Sequence, residues 1–76
     1  MAYRRGDRVQ VRKRLLDDMP HTLATYGIDA NSVLVIDQIR HKNKKNPFAY
    51  RVRSSDGASI NLFFRPWEIR REVQRR

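Results

Sequence analysis

Phe48-Ala49-Tyr50-Arg51-Val52-Arg53-Ser54-Ser55-Asp56-Gly57-Ala58-Ser59-Ile60-Asn61-Leu62-Phe63-Phe64 is the stretch that decides how this chain folds. Phe48, Tyr50 and Val52 alternate with Arg51 and Arg53, the period of two expected of a half-buried strand. Ile60, Leu62 and Phe64 repeat the pattern against Asn61, Phe63 and Arg65. Between the two runs, Ser55-Asp56-Gly57 reads as a tight hairpin, because Asp-Gly readily takes the positive φ values of a two-residue turn. Antiparallel strands over 48–53 and 59–65 follow. Tyr50 and Phe64 point to the core, whereas Phe63 is out of phase and faces outward.

Working outward, the run Val33-Leu34-Val35-Ile36, followed by Ile39, is the most apolar in the chain, and its β-branched content argues strand. Strict alternation fails between Val35 and Ile39, which predicts a bulge or strong bend. The strand runs on toward His41. Residues 40–47 are a polar hairpin loop carrying Arg40, Lys42, Lys44 and Lys45.

At the N-terminal end, Gly6-Asp7 is a turn dipeptide and Val9 and Val11 alternate with Arg8, Gln10 and Arg12. A strand over 7–14 is expected, with Leu15 and Leu16 as its buried end and Asp17-Asp18-Met19-Pro20 breaking the pattern. Residues 20–31 read as a loop over one end of the sheet with at most one or two helical turns. Asp18 would cap such a turn and Gly27 would end it. Tyr3 is the one residue of the basic lead-in suited to docking on the rest.

At the other end, Phe64-Arg65-Pro66-Trp67-Glu68-Ile69 reads as a strand end and a Pro-initiated helical turn. This turn would set Trp67 and Ile69 back against the core, and 69–73 would form a short fifth strand. The class expected is all-β, a small five-stranded SH3-like barrel with a long first loop and a short helical turn before the last strand. It is a single domain over 1–76 with an ordered core of about 4–73.

Composition bounds the chemistry. A chain of 76 residues is one domain, and one this size buries only ~60–65% of the surface its unfolded chain exposes. With no cysteine, disulfides and zinc–thiolate sites are excluded. No run approaches the length of a membrane span and no signal-peptide core opens the chain, so an intracellular location, cytoplasmic or nucleoid-associated, is expected. Lys and Arg number 17 against 8 Asp and Glu, a net charge of +9. That balance points to a polyanionic partner. Most of the cations are arginine, which suits bidentate phosphate contact and stacking on bases.

Catalysis is hard to build from these residues. Asp17 and Asp18 are adjacent and point apart in extended chain, and His21 follows Pro20 in the same loop. His21 and His41 are isolated, and no nucleophile–base spacing or glycine-rich phosphate cradle is present. No enzyme, metal or cofactor is expected.

The candidate nucleic-acid-binding residues are Arg8, Arg12 and Arg14 on one side of the first strand, Arg51 and Arg53 on one side of the third, and Arg40, Lys42, Lys44 and Lys45 in the loop. Tyr26, Phe48 and Phe63 are candidates for stacking on bases; Trp67 is assigned to the core. A rival class is a protein-interaction module, with an aromatic groove for a peptide or a basic surface for an acidic partner, in the manner of a small phage-type regulator.

Gly-Asp-Arg-Val-Gln-Val at 6–11, Tyr50-Arg51-Val52, Asp56-Gly57 and Phe64-Arg65-Pro66-Trp67-Glu68-Ile69 together resemble the SH3-like C-terminal domain of retroelement and related integrases. The resemblance covers roughly residues 4–71. It implies nonspecific DNA binding through Arg8, Arg12, Arg51, Arg53 and the 40–45 loop, without integration activity, since no catalytic core accompanies them. KOW-type and Tudor-like barrels are similar in layout, but the Lys-Gly and Gly-x-Val elements of a KOW motif are missing after the first strand.

Overall fold

A computed structural model describes residues 3–43, 45 and 47–72. In chain order the elements are β1 (Arg8–Val11), α1 (Lys13–Asp18), α2 (Pro20–Thr25), β2 (Leu34–His41), β3 (Pro47–Ser54), β4 (Ser59–Phe64), a 3-10 turn (Pro66–Glu68) and β5 (Ile69–Arg71). The strands form one antiparallel sheet in the order β4-β3-β2-β1-β5. β4 and β5 are its edges and are not hydrogen-bonded to each other, so the sheet is unclosed.

One face of the sheet is the core. Val9, Val11, Leu34, Ile36, Tyr50, Val52, Ile60, Phe64 and Ile69 cluster there, with Leu15, Leu23 and Ile28 from the first connection completing the cluster. Full burial of a side chain of this size stabilises the fold by about 1.5–3 kcal/mol. The expected irregularity in β2 is present: the register with β3 shifts between Ile36 and Gln38. Asp37 is the extra residue, and its carbonyl accepts from Arg5 Nε at 3.1 Å. The shift keeps Ile36 and Ile39 on the core side although they are three positions apart.

Four expectations need correction. The first strand ends at Val11, not at residue 14, and Lys13–Asp18 is helical, so Leu15 is buried from a helix. Asp18 closes α1 and caps nothing; α2 opens with Pro20 in its first turn, where the missing N–H is not needed. Residues 20–31, expected to hold at most one or two helical turns, carry the single six-residue helix α2 as expected; α1 is the addition, in residues read as the end of the first strand. Gly27 does end α2. Its φ is 68°, its N–H donates to Ala24 O at 3.0 Å, and Ile28 N–H donates to Leu23 O at 2.9 Å. This Schellman arrangement brings Leu23 and Ile28 together in the core.

The hairpin turn also differs in type. Gly57 N–H donates to Ser54 O at 2.9 Å and Ser54 N–H to Ala58 O at 2.8 Å. Only Gly57 takes a positive φ there, 97°. This is a three-residue loop closed by a glycine bulge rather than a two-residue turn. Ser54 Oγ bonds the Asp56 carboxylate, which that bond holds below the usual carboxylate range.

Trp67 is the fourth correction. It is 69% exposed, since the 3-10 turn leaves Ile69 alone to re-enter the core. Tyr3 does dock: its ring meets Tyr50 edge-on at 5.4 Å, its N–H donates to Tyr50 OH at 3.2 Å, and its hydroxyl donates to Ile69 O at 3.3 Å. The fully buried Tyr50 hydroxyl is thereby satisfied. Val73 and residues 74–76, expected to end the fifth strand and fray, lie outside the described residues.

Candidate nucleic-acid interface

The face opposite the core is assembled by strand register. Val35 of β2 pairs with Arg8 of β1 on one side and Arg53 of β3 on the other. One rung along, Arg51 of β3 lies between Gln38 of β2 and Phe63 of β4. Directly paired residues share a face, so Arg8, Arg53, Arg51 and Phe63 stand together. Arg40 completes the group: it lies two residues beyond Gln38, and its guanidinium carbon is 4.3 Å from the centre of the Phe63 ring. Phe63, expected outward, is half-buried beneath this arginine. Arg51 is half-buried too, and its Nε is enclosed without a partner.

Of these residues, Arg8 is committed to an ion pair. Its Nε donates to Glu72 Oε2 at 2.6 Å. That hydrogen bond, with the attraction of the charges, raises the guanidinium pKa and holds the Glu72 carboxyl below the usual range. A second surface pair, Arg71 to Asp7 at 3.4 Å, sits beside the Tyr3 ring, over which Arg71 lies at 5.4 Å.

Arg12 and Arg14 do not join this face, because β1 stops before them. Arg12 straps β1 to the chain end: its N–H donates to Glu68 O at 3.0 Å and its Nε to Ile69 O at 3.2 Å. Both arginines line a cleft with Leu15, Asp18, Trp67 and Glu68. Two carboxylates balance the two guanidinium groups there.

The remaining candidates are dispersed. Lys42 lines a shallow pocket with Pro47, Phe48, Arg65 and Trp67. Lys45 is exposed in the loop, and Lys44 lies outside the described residues. Phe48 is in phase with Tyr50 and Val52 but sits at the strand end, 36% exposed, with Arg65 5.2 Å above its ring. Tyr26, at the end of α2, is exposed and lines a cleft with Gly27, Ser54, Ser55 and Asp56.

Three residues of interest were not named as binding candidates from the sequence. Arg70 pairs with Gln10 and extends the outer face onto β5; the period of two starting from the buried Ile69 was a sufficient signal. Arg65 is fixed by donating to Phe48 O at 3.2 Å. Trp67 gave no such signal, because alternation does not continue through a 3-10 turn.

Among the described residues, no three His, Cys, Asp or Glu side chains group as metal ligands, and no helix is long and apolar enough to cross a membrane. No protein-family model, curated protein or solved structure matches the chain significantly.

Proposed function

We propose that this chain is a non-catalytic, sequence-tolerant nucleic-acid-binding module that uses the outer face of its sheet. The observation that carries the reading is the grouping of Arg8, Arg53, Arg51 and Arg40 around Val35 and Phe63. Arg8 and Arg53 flank Val35, two strand spacings or about 10 Å apart, and Arg51 follows Arg53 along β3 at about 7 Å, so the face presents several cations to one phosphate backbone. Such contacts position a backbone without reading bases. Lys42 and Lys45 lie in the loop after β2, apart from this group.

The sheet order β4-β3-β2-β1-β5, with a long insert after β1 and a 3-10 turn before β5, supports an SH3-like barrel. The same basic face would suit an acidic protein partner, and the two readings separate on one experiment.

Fluorescence anisotropy of labelled duplex DNA, single-stranded DNA and structured RNA, titrated with the chain across a salt series, tests the proposal. Log affinity should fall linearly with log salt, with a slope of several released counterions. No binding to any of the three at low salt would overturn it.

A further inference from the structure

Trp67 is the most exposed large apolar side chain among the described residues, at 69%. It projects from a rigid turn: Pro66 fixes the first position, Glu68 N–H donates to Arg65 O at 3.0 Å, and Arg65 N–H donates to the Glu68 carboxylate at 2.6 Å. One side of the indole borders the charge-balanced cleft of Arg12, Arg14, Asp18 and Glu68. The other borders a pocket formed with Phe48, Pro47, Lys42 and Arg65. That second pocket has an apolar floor, two cations and no carboxylate among its described lining residues.

We infer that the pocket between Phe48 and Trp67 takes an unpaired nucleobase of a single-stranded nucleic acid. The inference rests on the nucleic-acid reading and adds a strand preference to it. Arg65 is held beside the Phe48 ring by its bond to the Phe48 carbonyl, while Lys42 stands at the rim. An aromatic ledge with cations at its edge matches a base with its flanking phosphates, and stacking tolerates any base because every base has a π-face. A base held in a duplex cannot lie against the indole, so single strands gain a contact that duplexes lack.

Trp67 is the sole tryptophan and reports its own occupancy. The full chain is titrated with an oligothymidylate of roughly 12 nucleotides, a length within the range of known single-strand sites, and with a duplex of equal length. Indole fluorescence and anisotropy are read together. The single strand should quench Trp67 and the duplex should not. Trp67→Ala should weaken single-strand binding by about five- to 150-fold, the range for one lost base stack, and leave duplex binding within about twofold. Trp67→Phe should retain most of the affinity. The indole is largely outside the core, so the variants should fold, and Lys42→Ala provides a second, milder loss on the single strand.

Single-strand binding by anisotropy without quenching, or equal losses on both nucleic acids in Trp67→Ala, would overturn the pocket assignment and leave the proposed function standing. Quenching by a proline-rich peptide but not by the oligonucleotide would reassign the pocket to peptide. Failure to bind any nucleic acid would overturn the pocket and the function together.

Discussion

The Arg40 guanidinium lies over the Phe63 ring, its central carbon 4.3 Å from the ring centre, and joins β2 to β4 across the intervening β3. The contact keeps the planar group on the outer surface, where it shields an aromatic that would otherwise be a wet apolar patch.

Phe63→Ala removes that support. Stability should fall by about 1–2 kcal/mol, from partial loss of apolar burial and of the cation–π contact. Affinity for duplex DNA should fall as well, because Arg40 loses its fixed position. A urea melt and an anisotropy titration on the same variant check both effects. Unchanged affinity in the folded variant would remove Phe63 from the interface.

Glu72 competes with phosphate for Arg8. Glu72→Gln should therefore tighten nucleic-acid binding, by a few-fold at low salt and less as salt screens both interactions. The same pair gives stability a pH dependence. The Glu72 pKa is lower folded than unfolded, so its contribution is present above the ordinary glutamate range. It is lost as pH falls through the lowered folded value. Urea midpoints of the wild type and Glu72→Gln should converge on acidification. A gap that stays constant to strongly acid pH would show that the pair does not act through its charge.

Gly27→Ala should destabilise the chain by about 1 kcal/mol, since a φ of 68° is costly for a residue with a Cβ. A Cβ there would meet no atom within 4 Å, so the effect is conformational and not steric. Gly27→Asn should recover part of it, asparagine tolerating the left-handed region better. Equal losses in both variants would contradict this origin.

Gly27 also shows where the sequence was informative. The strands were legible because Tyr50 and Val52 in β3 and Ile60 and Phe64 in β4 keep the core side despite a register shift between Arg51 and Arg53, and the break between Val35 and Ile39 marked the bulge in β2. The helices were less so: α1 was missed, and α2 was legible only as the one or two turns expected within 20–31. Each is six residues long, and their N-caps, Arg12 and Met19, make no side-chain capping bond, so the usual start signal was missing and only the Gly27 stop remained. That gap carried into the site. Reading β1 on to residue 14 placed Arg12 and Arg14 beside Arg8, whereas the helix turns them toward Trp67. Arg8, Arg51 and Arg53 were placed together correctly because strand parity determines which face a residue occupies.

The most direct test compares Arg53→Glu with Lys13→Glu. Both residues are exposed and each substitution changes net charge equally, but Arg53 lies on the outer face of the sheet and Lys13 opens α1. Duplex DNA binding is measured by anisotropy across a salt series. If the sheet face tracks phosphates, Arg53→Glu should lower affinity at every salt concentration and reduce the log–log slope by about 0.9 for the lost phosphate contact, while Lys13→Glu should leave the slope unchanged. Equal effects from the two reversals would mean that net charge, and not this face, governs binding.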